Sequence, residues 1–303
     1  MSKYKFGACE YNFPMWGSLA LEMAHDAGFD GIEITDGGGY LQPHPMNKGY
    51  FVEVERLQPN LIRMDNYPLL DKMVQDDYLN AKAKTGIEIT GVHLYFLNCQ
   101  GFVSASNESL TGKDALMTIK NAIIAASQMG IPMVSVPTRG MFGVAKNLYA
   151  LQKLEYAVQA ADEYGIRISN SFDTTLAREL EVIDKLDGKL KADFHTMDPA
   201  FNAKEPAPEM IRSLGKDRIE QFKMKDVIAD KEGFMVKEAA GDALFGQGHS
   251  DWKECVAAIK EIGYEGWIIS DTPYNSLQLN VNGEDYVSLG MKDLATLKNA
   301  FCE

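Results

Sequence analysis

Eight short runs rich in strand-forming residues alternate with helical patterns along the whole chain, and this alternation constrains the fold more than any other feature. The runs are Tyr4 to Ala8, Gly31 to Thr35, Thr90 to Tyr95, Met133 to Val136, Ile166 to Ser169, Leu190 to His195, Arg218 to Met224 and Trp267 to Ser270. Between them apolar residues recur every three and four positions, as at Leu116, Ile119, Ile123 and Ile124, and again at Trp252, Val256, Ile259 and Ile262. Gly130, Gly165 and Gly263 stand where such patterns stop. Strands that alternate with helices pair in parallel through right-handed crossovers. Eight such units in 303 residues predict an α/β fold, a single (β/α)8 TIM barrel. No glycine-rich loop follows the first run, so a doubly wound dinucleotide-binding sheet is not expected, nor is a nucleotide cofactor. No linker or low-complexity tract divides residues 1–303, which are expected to form one domain. The segment from Asp36 to Tyr67 carries Gly37, Gly38 and Gly39 and three prolines. It is too long for an ordinary connection and is expected to lie over the C-terminal face of the barrel.

Charge narrows the partners. Forty-three acidic residues against 30 basic ones leave a net charge of −13, the opposite of the basic footprint that nucleic acid requires. No stretch approaches the roughly 20 apolar residues of a membrane span. The N-terminus lacks the apolar core of a secretory signal, so a cytoplasmic protein acting on a small molecule is expected. Cys9, Cys99, Cys255 and Cys302 contain no CxxC pair and read as reduced, mostly buried thiols.

A barrel places functional side chains at the C-terminal ends of its strands. Those ends hold Glu10, Tyr11 and Asn12; Glu33 and Asp36; His93 and Asn98; Arg139; Asn170, Ser171 and Asp173; His195 and Asp198; Lys223, Lys225 and Asp226; and Asp271. His93, His195, Lys223 and Asp271 are expected to converge within one substrate's width. Glu33, between Ile32 and Ile34, is costly to bury and implies a site or an internal salt bridge. Lys223 alternates with Phe222 and Met224; facing inward it demands a partner, facing outward it is solvated. Arg139 suits a phosphate or carboxylate, or the surface. Trp16 suits packing or a sugar face. Asp226 suits orientation of the loop after the seventh strand, and His249 a helix N-terminus capped by Ser250 or Asp251.

Four segments carry a family resemblance. "AGFDGIEIT" at Ala27 to Thr35, "FKMKDV" at Phe222 to Val227, "FGQGHSDW" at Phe245 to Trp252 and "GYEGWIISD" at Gly263 to Asp271 resemble motifs of the xylose isomerase-like superfamily of sugar isomerases and epimerases. The resemblance implies a divalent metal (Mn, Mg or Zn) held by a Glu, an Asp, a His and a Glu on strands five to eight. At those positions this chain has Asn170 or Ser171, then His195 with Asp198 in exchanged order, then Lys223, then Asp271. His195, Asp198 and Asp271 are the donors left for a retained metal. Alternatively the Lys223 ammonium takes the metal's place and pairs with Asp271 or Asp198.

The resemblance implies an isomerase or epimerase of a sugar or polyol derivative, working through an enediolate. Lys223, Asp271, His195 and Asp198 are the catalytic candidates, and His93, Glu33, Trp16, Arg139 and Asn170 the substrate-binding ones. A lyase or dehydratase on a similar substrate, and a catalytically idle sugar-binding barrel, are the alternatives. The family's DNA-repair endonucleases, rich in His and Glu, do not suit a chain with 5 histidines. Barrels of this kind commonly pair through their loops, which leaves a homo-oligomer open.

Overall fold

The computed structural model of the protein describes residues 3–35, 67–95, 97, 105–138, 148–172, 174–276, 279 and 283–302. Its elements in chain order are β1 (Tyr4–Cys9), α1 (Ser18–Asp26), β2 (Gly31–Thr35), α2 (Lys72–Thr85), β3 (Glu88–His93) and α3 (Leu110–Met129). Next come β4 (Met133–Pro137), α4 (Leu148–Asp162), β5 (Arg167–Ser171), α5 (Leu176–Lys185), β6 (Leu190–His195), α6 (Ala207–Leu214) and β7 (Ile219–Met224). The chain finishes with β8 (Asp226–Glu232), β9 (Met235–Ala243), α7 (Trp252–Glu261), β10 (Gly266–Ser270) and α8 (Tyr286–Cys302). A closed barrel runs β1-β10-β7-β6-β5-β4-β3-β2, and β8 and β9 form a separate two-stranded sheet. Every barrel pair is parallel. The (β/α)8 barrel expected from the alternation is therefore the fold.

Alternation along each strand divides two environments. Ile32 and Ile34, Val92, Val134 and Val136, Phe194, Phe222 and Met224, and Ile268 belong to the apolar core shared with the surrounding helices. Fully burying such a side chain contributes roughly 1.5–3 kcal/mol. Residues of the opposite parity meet inside the barrel, and many are polar: Glu33, His93, Ser135, Asp193, Gln221 and Lys223 are all buried. A Cβ on Gly91 would come within 2.4 Å of the Met133 Cε, so glycine there lets Met133 pack.

The hairpin β8–β9 was not expected. It begins one residue after β7, is antiparallel, and turns at Gly233, whose φ is 60°. Its period-two alternation is interrupted by two bulges, between Ile228 and Ala229 and between Asp230 and Lys231. Other boundaries shift by a few residues. Arg218 lies in a 3-10 turn before β7, and Tyr95 falls beyond the end of β3. No helix among the described residues is long and apolar enough to cross a membrane. Cys9 and Cys255 are buried free thiols and Cys302 is an exposed one. The insertion at 36–66, together with Asn98, Cys99, Arg139 and Asp173, lies outside the described residues.

Candidate functional site

Three side chains meet where β1, β6 and β10 end. Tyr11 sits on the 3-10 turn Glu10–Asn12 that follows β1, and its hydroxyl donates to Asp271 Oδ1 at 2.6 Å. Asp271 directly follows β10, and its own N–H is tied to Met224 O at 2.8 Å. His195, the last residue of β6, places Nδ1 3.5 Å from Asp271 Oδ2. The other ring nitrogen, Nε2, is sealed from solvent and has no hydrogen-bond partner among the described residues.

The electrostatics follow from these contacts. Burial alone would raise the Asp271 pKa, but the His195 contact, the Lys225 charge and the Tyr11 hydroxyl outweigh it and hold the carboxyl well below its usual range. Burial and the Asp271 charge push Tyr11 well up, so it remains a phenol that donates. An ionised carboxylate beside Nδ1 favours the tautomer with its proton on Nδ1, leaving the Nε2 lone pair available.

One side-chain layer further in lies a second cluster. Lys223 Nζ is 2.6 Å from Glu33 Oε2, 2.8 Å from Asp193 Oδ2 and 3.3 Å from His93 Nδ1, and neither lysine nor carboxylates reach solvent. Gln221 Nε2 donates to Glu33 Oε1 at 2.7 Å and to Asp193 Oδ1 at 3.0 Å. Ser135 Oγ donates to Asp193 Oδ2 at 2.7 Å. With that hydroxyl proton committed and the ammonium donating, His93 Nδ1 is an acceptor in this network.

The two carboxylates respond differently because their donors differ. Burial raises Asp193, but the charge of Lys223, aided by His195 and His93, outweighs it and brings the pKa down to about 2. Glu33 has fewer donors; burial, with the Asp193 charge adding to it, outweighs the pull of Lys223 and lifts Glu33 to about 7. Burial disfavours the Lys223 ammonium, yet Asp193 and Glu33 more than compensate and raise its pKa above the ordinary lysine value.

The expected convergence is therefore split. His195 and Asp271 meet at the strand ends, while His93 and Lys223 meet in the layer beneath. Pairing of Lys223 with Asp271 or Asp198 is corrected: its partners are Glu33 and Asp193. The lysine stem reaches one layer inward from His195, its neighbour in register, and finds two carboxylates there. Glu33, a substrate-binding candidate, is instead committed to Lys223 and Gln221. Asn170 accepts from Thr138 Oγ1 at 3.1 Å and donates to the Val136 carbonyl, so both ends of its amide fasten β5 to β4. Asp198 is buried just beyond β6, where its charge and that of Glu205 add to burial in lifting Glu179 to about 8. Trp16 is half-buried between the turn after β1 and α1.

Tyr11, Ser135, Asp193 and Gln221 escaped the functional shortlist or had no role in it. Asp193 and Gln221 carried a readable signal, since each is a polar residue two positions before a shortlisted one on the same strand.

Asp226 does organise the loop after β7. Its carboxylate accepts from Gly246 N, Gly248 N, Ser250 N and Ser250 Oγ at 2.8–3.1 Å. A Cβ on Gly248 would lie 2.3 Å from Asp226 Oδ1, which explains the second glycine of "FGQGHSDW". His249 is turned to the hairpin, its Nδ1 accepting from Ala229 N at 3.2 Å. Asp251 is the N-cap residue of α7 but makes no capping bond with its side chain, which pairs with Lys231 instead.

The metal expectation can be tested on these contacts. Among the described residues, the group of three donors spaced for a cation is Glu33, His93 and Asp193, whose ligand atoms lie within 4.8 Å of one another. It is not His195, Asp198 and Asp271; Asp198 does not join the other two. At the four positions implied by the motifs, strand five offers Asn170 with a committed amide or Ser171 with a neutral hydroxyl, His195 of strand six turns Nδ1 to Asp271, Lys223 brings a positive charge, and Asp271 is engaged by Tyr11 and His195. That set does not fit a divalent ion.

A family model described as "Xylose isomerase-like TIM barrel" matches residues 21–296. No protein among curated sequences matches the chain. Similar solved structures include D-psicose 3-epimerase with D-tagatose from Clostridium cellulolyticum H10, 13% identical over 98% of this chain and 99% of that one, with a TM-score of 0.68. The IOLI protein with a binding zinc atom is 15% identical over 98% of both chains, also with a TM-score of 0.68. The apo form of 3-keto-D-glucoside 4-epimerase, YcjR, from E. coli is 16% identical over 98% and 99%, with a TM-score of 0.65. At these identities the structures attest the shared barrel.

Proposed function

Because the chain belongs to the xylose isomerase-like TIM-barrel family, we propose that it isomerises or epimerises a sugar or polyol derivative by moving a proton next to a carbonyl, with His195 carrying the proton. The observation behind this reading is the buried, unpartnered Nε2 of an imidazole whose Nδ1 faces an ionised aspartate. Nε2 takes the proton from the carbon beside the carbonyl. The C–H electron pair becomes the new C=C bond, and the carbonyl π pair moves to oxygen, giving an enediolate. Return of the proton to the other carbon, with a hydroxyl proton passing from one oxygen to the other, moves the carbonyl; delivery of a solvent proton to the opposite face, with the His195 proton released to solvent, inverts a stereocentre. Asp271 fixes the tautomer and steadies the imidazolium, and Tyr11 fixes Asp271. A proton carrier so placed contributes roughly 10²–10⁴-fold to rate. Trp16 is the proposed sugar-facing ring. The named activities of the similar structures, both epimerases acting on sugars or sugar derivatives, support the substrate class.

One observation favours a second reading, a barrel that binds sugars without turnover: a lysine stands where the motifs place a metal-ligating histidine. A single experiment separates the two. A panel of ketoses, aldoses and keto-glycosides is incubated with the protein in D2O, and deuterium at carbon is followed by NMR. Exchange that His195→Gln abolishes is the expected result. A sugar that raises Tm without exchanging would establish the binding barrel, and exchange unchanged in His195→Gln would remove the histidine from the chemistry.

A further inference from the structure

We infer that the Lys223 ammonium is itself the cation of the Glu33–His93–Asp193 group, so that the native barrel neither needs nor admits a divalent metal there. Two carboxylates and an imidazole nitrogen within 4.8 Å of one another are a donor set suited to manganese or zinc. Nζ already lies 2.6, 2.8 and 3.3 Å from those same three residues. A metal bound to the three at ordinary ligand distances of about 2.0–2.2 Å would be driven into contact with the ammonium. Like charges so close in a buried, low-dielectric interior repel strongly. The stem cannot swing aside cheaply, because Lys223 is fully buried and its neighbours Phe222 and Met224 are locked into the core. The ammonium also meets the chemical needs of its partners. Each carboxylate receives a charged donor, His93 Nδ1 receives a hydrogen bond, and Gln221 bridges the two remaining carboxylate oxygens. The arrangement stands apart from the proton-transfer reading of His195, since no contact in it involves Asp271 or Tyr11.

The consequence is a latent metal site one substitution away. Lys223→Met keeps the unbranched stem but removes the charge, leaving two carboxylates and an imidazole around the vacated volume. Wild type and Lys223→Met are purified without chelator, their metal content is measured, and Tm is recorded in EDTA and in Mn2+ or Zn2+. Wild type is expected to hold less than one-tenth equivalent of metal and to show the same Tm throughout. Lys223→Met is expected to melt lower in EDTA and to regain about 5 °C at metal concentrations near 100 times Kd. That gain should disappear when Asp193→Asn is added. Stoichiometric metal in wild type, with a Tm that falls in EDTA, would overturn the inference. So would a folded Lys223→Met indifferent to both ions. If Lys223→Met does not fold, wild type decides through 15N-lysine NMR. One ammonium resonance protected from solvent exchange should persist unchanged in excess Zn2+; its loss on zinc addition overturns the inference.

Discussion

Replacing Glu33 with glutamine should change how stability responds to pH more than stability itself. Glu33 titrates at about 7 in the folded protein against 4.5 as an ordinary carboxyl, because burial and Asp193 outweigh the pull of Lys223. A group with a raised folded pKa contributes stability that is fully present below its unfolded pKa and lost as pH rises through the folded one. For Glu33 that window runs from 4.5 to about 7. At about 1.4 kcal/mol per pH unit, its ionisation removes on the order of 3 kcal/mol between pH 4.5 and 8. Glutamine mimics the protonated acid and cannot ionise. Its amide nitrogen must face either Lys223 or Gln221, both donors, and that mismatch costs about 1–3 kcal/mol at every pH. The mismatch cancels when each protein is compared with itself at two pH values. Urea unfolding at pH 5 and pH 8 should therefore show Glu33→Gln losing less stability than wild type across the interval, by roughly 3 kcal/mol. Parallel stability curves for the two proteins would refute the assignment of the proton to Glu33.

Asp271→Asn should reduce any deuterium exchange by roughly 10²–10⁴-fold while leaving ligand affinity nearly intact, because the amide supports the wrong imidazole tautomer; an equal loss of affinity in calorimetry would make Asp271 a binding group. Tyr11→Phe removes the 2.6 Å hydrogen bond to Asp271 together with the hydroxyl's contact to the Cys9 thiol, and should cost less activity than Asp271→Asn; a larger loss would place Tyr11 on the substrate. Gly248→Ala drives a methyl to 2.3 Å from Asp226 Oδ1 and 2.5 Å from the Val227 carbonyl, and should destabilise by about 1–3 kcal/mol in urea melts. A Gly248→Ala protein as stable as its parent would show that the Asp226 loop is not tightly packed.

The barrel was legible because eight apolar runs and their intervening helices repeat one local pattern, and parallel pairing follows from that pattern alone. The hairpin was not, because its bulges break the alternation that marks a strand. For the site, position along a strand was legible and reach was not. Strand ends anticipated the contact of His195 with Asp271, whose short side chains stay near their own backbones. Lys223 defeated the same logic: its long stem carries the charge a full layer away from its Cα. Its true partners could be found only by asking which inward-facing carboxylates lie below it. Asp193 lies two residues inside the strand end, where packing residues are expected.

The buried ion cluster also bears on how the molecule could be assembled from pieces. Its members come from opposite halves of the chain: Gln221 and Glu33 are 188 positions apart, and Lys223 and His93 are 130 apart. A cut in the exposed turn near Gly165 would leave Asp193 with Lys223 and Gln221 in one fragment and Glu33 with His93 in the other. The C-terminal fragment could neutralise its own lysine, whereas the N-terminal one would keep Glu33 beside His93 without the ammonium that pairs with it in the intact barrel. Each fragment alone should be open-edged and poorly ordered, and reunion should be driven partly by Glu33 seeking its ammonium. Co-expressed halves should recover native helicity, and Glu33→Leu in the N-terminal half should weaken that recovery. Recovery as complete with leucine would mean that strand edges alone direct reassembly. In the intact chain contacts between such distant positions raise the contact order, and high contact order slows folding.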